Sequence, residues 1–426
     1  MEFIFIYLSY QEVSSFHHAK ILIFMKNRIL IFSSSLFLLV SCGGGGGNSD
    51  PDPVLSISVS LSTNNPEVEV GQSITLNWTS SNADSCVASG SWSGEKSISG
   101  NEQVTIINSG INSFILTCSG ASAVSGSATV DVVGVTTRID ITNNIFSNRS
   151  SDCADYVENY ASNVRDLTRA IDFEGYVDIE AFDSYCNLLS DNIPNHDFND
   201  SSANFRTDAA EKDRVFVISR SPQQASQNTP ISGQTWDAVM LNGVVADVKS
   251  GGCYYPSEPR ADADGNTEAG CPQSAQWRLV PLEYSTKFGA DIHNAHVQPD
   301  GTYHYHGNPN AMFDDNPSGA GSPVIGFAAD GFPIYGSYIL DPTTGTYRKA
   351  LSGYTLKEGI RGTQTDSNPG GEYSGIYEED WEWTDAGDLD ECNGMTYENQ
   401  YGYYVTDSYP FIINCFKGNV DSSFRK

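Results

Sequence analysis

Histidine is scarce in this chain: seven residues among 426. Basic residues are scarce too, with 23 Lys and Arg against 53 Asp and Glu and a formal net charge of −30. A surface of that sign repels phosphates, and no basic run interrupts it, so nucleic acid is excluded as a partner. The acidity instead favours solubility and raises the local concentration of cations. There is no Cys-x-x-Cys pair, which argues against a zinc ribbon or a thiol redox enzyme. No phosphate-cradling Gly loop, Gly-x-Ser-x-Gly elbow or His-Glu-x-x-His helix is present. The apolar run Ile29 to Val40 falls short of the roughly 20 residues that a spanning helix needs.

That run has another reading. Met25-Lys26-Asn27-Arg28 supplies a basic start, the apolar stretch follows, and Leu39-Val40-Ser41-Cys42 resembles a bacterial lipobox with Cys42 as the lipidated residue. Residues 1–42 are therefore expected to be an export segment with its true start at Met25. Residues 43–53 form a Gly-rich linker that holds the folded part off a bilayer. The residue after Cys42 is Gly, which by resemblance to lipoprotein sorting signals implies the outer membrane and a lipid anchor. The remaining cysteines are Cys86, Cys118, Cys153, Cys186, Cys253, Cys271, Cys392 and Cys415. An even count on an exported chain favours disulfides. Sequential pairing is the simplest of the 105 connectivities that eight cysteines allow.

Residues 54–134 alternate in short β-branched runs separated by turn residues, as in Ser73-Ile-Thr-Leu-Asn-Trp78. Trp78 with Cys86 and Cys118 resembles bacterial immunoglobulin-like domains, in which a disulfide lies near a core Trp. The second region, 150–420, is also read as β-rich. Tyr156, Tyr160, Val164 and Leu167 recur at helical spacing, so a short helix is expected from Cys153 to about Ala170. Residues 171–180 alternate and read as strands broken at Gly175. The fold class expected is mainly β, an immunoglobulin-like sandwich followed by a larger disulfide-containing β-rich domain with minor helix.

Four of the seven histidines fall between 293 and 306, in His293-Asn-Ala-His296-Val-Gln-Pro-Asp-Gly-Thr-Tyr-His304-Tyr-His306. Pro299-Asp300-Gly301 suits a three-residue hairpin loop, with Gly in the left-handed position. In that register His296 faces His304 and Asn294 faces His306. His296, His304 and His306 then share one face, while Tyr303 and Tyr305 share the other. A two-residue loop would shift the register and scatter the imidazoles. Three imidazoles on one face form an open metal site that suits copper or zinc better than magnesium or calcium. His293 joins only if the strand curls at its start, and His196 is a further candidate ligand from a loop. Asp262, Asp264, Asn266 and Glu268 place oxygens at alternating positions as a calcium loop does. However, Thr267 stands where an EF-hand needs Gly, so calcium is the weaker expectation.

The stretch Gly301-Thr-Tyr-His-Tyr-His-Gly-Asn-Pro309 resembles the signature of the YHYH domain family. Asn192-Ile-Pro-Asn-His-Asp-Phe198, Ile325-Gly-Phe-Ala-Ala-Asp-Gly-Phe-Pro-Ile-Tyr-Gly336 and Leu389-Asp-Glu-Cys-Asn-Gly394 fit the same family. The resemblance implies no agreed reaction. Family members often carry a second Tyr-His-Tyr-His, whereas this chain has Tyr401-Gly402-Tyr403-Tyr404. Three functions are compatible with these residues. One is an exported metal-binding lipoprotein. The second is a metal-dependent enzyme, with Asp197, Asp330 or Glu391 as candidate bases and Asp330 also a candidate partner for an imidazole N–H. The third is a surface adhesion or scaffolding protein in which the hairpin is structural.

Overall fold

A computed structural model describes residues 55–426 except 122, 285–287 and 317–318. The export segment, Cys42 and the glycine linker lie outside the described residues. Strands and turns make up the fold; helical turns are short, among them the 3-10 turns Cys153–Tyr156, Glu378–Asp380 and Ser422–Phe424. Among the described residues no helix is long and apolar enough to cross a membrane.

The N-terminal part is built from two sheets. One is Ser58–Thr63, Ser73–Ser81 and Ser99–Thr105. The other is centred on Ser85–Gly90, Gly110–Gly120 and Ala123–Val135. Alternation along Ser73–Ser81 turns Ile74, Leu76 and Trp78 inward. They share a core with Trp92, Phe114 and the Cys86–Cys118 disulfide. That disulfide joins directly opposed residues of neighbouring strands in one sheet.

Two expectations for 150–181 fail. Only Cys153–Tyr156 turns as a 3-10 helix, and Asn159–Asp166 is a strand. Its Val164 is buried and packs in the core, so the period-2 burial of the strand prevailed over the helical spacing of the tyrosines. Nor does Gly175 break its strand: Ile171–Ala181 runs unbroken, with Gly175 opposite Ser162. A Cβ there would meet Ser162 Oγ at 2.6 Å, so this Gly admits close packing and makes no turn. The remaining three pairs, Cys153–Cys186, Cys253–Cys271 and Cys392–Cys415, are bonded sequentially.

An eight-stranded sheet positions the histidines. Its order is Ala295–Val297, Tyr303–Tyr305, Val245–Ala246, Ala238–Met240, Val324–Ala328, Pro333–Tyr335, Gln400–Tyr404, Gly394–Tyr397. The sheet is an internal two-fold. At its centre Ala238 opposes Ala328 and Met240 opposes Gly326, each pair the mirror of the other. On one side a hairpin turns at Gly243, and on the other at Gly331, both with φ of +84°. Each hairpin then takes a parallel strand, Ala246 against Tyr305 on one side and Ile334 against Tyr403 on the other. Each parallel strand ends in an outer antiparallel partner at the sheet edge.

Candidate metal centre

The 293–306 segment folds in the expected register. Gly301 has φ of +95° and its N–H donates to Gln298 O at 2.9 Å. His296 opposes His304, and the His306 N–H donates to Asn294 O at 2.8 Å. Asn192 locks the strand in place: its side-chain amide donates to Tyr303 O at 2.8 Å, and its Oδ1 accepts from Val245 N at 3.1 Å. It thus bridges two neighbouring strands with one side chain.

The rings of His296, His304 and His306 pack edge to face, with centroids 4.6, 4.6 and 4.7 Å apart. One nitrogen from each lies within 4.8 Å of the others. Carbonyls set two of the tautomers. His296 Nδ1–H donates to Phe288 O at 2.7 Å, and His304 Nδ1–H to Thr302 O at 3.2 Å. Each Nε2 is therefore left as a bare lone pair, the form a metal takes. Among the described residues His304 Nε2 and both nitrogens of His306 are buried with no partner in hydrogen-bond geometry, the backbone of Asp247 and Val248 lying beside His306. Burial, reinforced by the neighbouring imidazoles, holds His304 and His306 well below the ordinary histidine range. Burial lowers His296 as well, so all three are neutral and ligand-competent at neutral pH. The triad lies at a cleft of about 1170 Å³ that Trp236, Asp247, Gln298 and Lys426 also line.

Tyr303 and Tyr305 point to the opposite face, into the core. The Tyr303 hydroxyl donates to Asp291 at 2.8 Å. The Tyr305 hydroxyl donates to His196 Nε2 at 2.7 Å, while His196 Nδ1–H donates to Asp197 O at 2.8 Å. His293 stacks on His196 at 3.7 Å and its Nδ1–H donates to Pro309 O. Both are thus separated from the triad by the sheet itself, because strand parity turned His293 away and no curl intervened. Burial, then the charge of His293, pushes His196 down to about 3.

The candidate bases lie elsewhere. Asp197 accepts from the Arg165 N–H, Asp330 from the Tyr403 hydroxyl, and Glu391 from Asn228 and Lys417. The carboxylate that does flank the triad is Asp247, which follows the strand paired with Tyr303–Tyr305 and donates its N–H to Tyr305 O. The calcium-like loop is an Asx turn. Asp262 Oδ1 accepts from the N–H groups of Asp264 and Asn266, Tyr377 occupies Asn266 Oδ1, and Arg206 pairs with Glu268. Side-chain oxygens of Asp262, Asn266 and Glu268 thus serve the protein's own donors.

Residues 215–418 match the family model described as YHYH protein. The chain contains a YHYH domain. No curated protein matches the chain. The two-fold of the sheet gives the YHYH domain a second position for its own signature. Asp291 receives the N–H groups of His293 and Ala295 and the Tyr303 hydroxyl. Asp390 receives those of Cys392 and Gly394 and the Tyr401 hydroxyl. Asn294 and Asn393 both take positive φ, of 55° and 70°. His296, His304 and His306 thereby correspond to Met395, Gly402 and Tyr404. In that half the Tyr335 ring stacks on Tyr404 at 5.0 Å, and a Cβ on Gly402 would meet Tyr335 at 2.5 Å. The second half of the YHYH domain keeps the framework, and aromatic packing closes the place where imidazoles would go.

The signal for this repeat was in the sequence as Asp291-x-x-Asn294 and Asp390-x-x-Asn393. Without the hydrogen bonds that give the Asp and Asn their roles, the spacing is too short to stand out. Four strands lie between the two halves of the signature, so five inter-strand steps of about 4.8 Å place them roughly 24 Å apart. They build separate sites, and the His-free copy takes nothing from the triad.

Proposed function

We propose that this is an exported, lipid-anchored protein whose YHYH domain binds one transition-metal ion, copper or zinc, through His296, His304 and His306. The observation that carries the reading is the convergence of three neutral imidazoles in the wall of a cleft, with buried nitrogens of His304 and His306 that have no partner among the described residues. Leaving buried polar atoms unpaired costs stability, and a metal ion would pair all three rings at once. Three protein ligands leave a position facing the cleft for an exogenous ligand.

The second half of the sheet argues against a purely structural role. It forms the same hairpins and the same Asp–Tyr bonds with Met395, Gly402 and Tyr404 in the corresponding places. Imidazoles are therefore not what this backbone needs to fold. Oxygen-seeking ions fit poorly, because the three converging atoms are all nitrogen. Lipidation at Cys42 and an outer-membrane address complete the proposal, resting on the lipobox-like Leu39-Val40-Ser41-Cys42 and the Gly that follows.

The test is metal analysis of untagged protein dialysed against copper and zinc and then against buffer. One equivalent in the wild type, lost in the His304→Ala/His306→Ala double variant, is the expected result. A wild type that retains no transition metal would overturn the reading.

A further inference from the structure

A metal ion at the triad satisfies the imidazoles but leaves other polar atoms beside them unmet. Trp236, only 3% exposed and part of the cleft lining, keeps its indole Nε1–H without a partner among the described residues. Arg214 keeps Nη1 unpartnered and shielded from water. These groups adjoin the triad. The Trp236 ring lies 6.2 Å from that of His304, and Arg214 Nη2 donates to Thr302 Oγ1, whose own residue carbonyl holds His304. Arg214 and Lys426 both approach the Trp236 ring, at 5.1 and 4.6 Å, so two cations crowd one indole.

The nearby carboxylates cancel this only in part. Asp247 is committed to Lys426 and Gln298. Asp300 accepts from Thr302 and stands 3.5 Å from Arg214 Nη2, not the unpartnered nitrogen. Asp237 Oδ1 is buried without a partner among the described residues, and burial drives that carboxyl strongly towards its neutral form. Lys426 and Arg214 thus already have carboxylate partners, and what remains beside the triad is the Trp236 indole N–H, the Arg214 Nη1 and a metal position with an open side, which an acceptor carrying negative charge would satisfy.

The two-fold of the sheet sharpens the point. Leu241 N–H donates to Ile325 O and Ala329 N–H donates to Asp237 O, which makes Ile325 the counterpart of Asp237 and Val324 that of Trp236. Tyr335 likewise stands for Asp247. The half without imidazoles also lacks the indole and both carboxylates, so this polar surround accompanies the triad and not the fold.

We infer that the cleft binds a small oxyanion, a carboxylate or phosphate group, that takes the open side of the triad and accepts from Trp236 Nε1–H. The inference deepens the metal reading and names the ligand class for its open position. It also accounts for how a chain of net charge −30 would hold an anion, since a contact donor beside the metal position replaces the missing long-range attraction.

The experiment loads the full chain with cobalt(II), and titrates it with sodium acetate and separately with inorganic phosphate at constant ionic strength, following the visible d–d bands. Wild type should show a saturable spectral change with at least one anion. Trp236→Phe, which keeps the ring and removes the N–H, should weaken it at least tenfold. Saturation with acetate alone assigns a carboxylate, and with phosphate alone a phosphate. An unchanged affinity in Trp236→Phe overturns the inference even if cobalt binds. If cobalt does not bind, the metal reading has failed by itself. Thermal shifts of metal-free protein with the same anions then decide: a Trp236→Phe-sensitive shift supports the oxyanion site, and no shift overturns it.

Discussion

Replacing His306 by Leu should stabilise the metal-free protein. His306 is 2% exposed and neither ring nitrogen has a hydrogen-bond partner, although the backbone of Val248 and Asp247 lies beside it. An unsatisfied buried polar group costs about 1–3 kcal/mol, and an apolar side chain of similar volume removes that cost with little change in packing. His306→Leu is therefore expected to raise metal-free stability by about 1–3 kcal/mol near neutral pH. Acid should widen the gap. Burial depresses the native pKa of His306, so protons bind the unfolded chain first as pH falls below about 6.5, and wild type loses stability there. The limiting slope is about 1.4 kcal/mol per pH unit for this one histidine, and the Leu variant lacks it. With zinc the order should reverse. An ion at 1,000 times its dissociation constant adds about 4.1 kcal/mol to the wild type, more than the Leu variant gains, and most of it disappears without the third ligand. Urea unfolding with and without chelator, at pH 7 and pH 5.5, measures all three effects. If His306→Leu destabilises the chelated protein by more than about 1 kcal/mol, the imidazole is a packing element and the reasoning is wrong.

Two further outcomes follow from the framework. Asn192→Ala removes two buried bonds that tie Tyr303–Tyr305 to Val245–Ala246 and should cost about 2–4 kcal/mol in urea unfolding, with weaker zinc binding. Met395→His, Gly402→His and Tyr404→His combined with Tyr335→Asp should raise the zinc stoichiometry from one to two per chain, read by metal analysis. Gly402→His without the Tyr335 change should instead lower the melting temperature, because its Cβ has no room.

The hairpin register was legible because Pro299-Asp300-Gly301 allows one turn that also sorts imidazoles from tyrosines by face. The disulfide pairs were legible because each joins cysteines within one segment. What failed did so for lack of tertiary information. Tyr156, Tyr160 and Val164 sit at helical spacing, yet a strand was selected by pairing with Ile171–Ala181 on one side and Ile139–Asp140 on the other. His293 looked like a ligand by proximity in the chain and His196 as a loop histidine, and the sheet put both on its far side. Asp247 and Trp236 were invisible as site residues because they lie more than 45 positions before the hairpin. Only the parallel pairing of Val245 with His304 brings that segment to the triad.

The bridging amide of Asn192 has a practical consequence for anyone cutting this gene. It lies upstream of the 215–418 match, as do Cys153, Cys186, Val177 and Phe198, all of which pack in the same core as Tyr303 and Tyr305. Phe424, beyond the other end, packs on Phe216. A fragment trimmed to the matched segment would leave a parallel strand pair without its clamp and expose one side of the core to water. The smallest piece worth expressing is set by packing, and it begins well before the signature that identifies it.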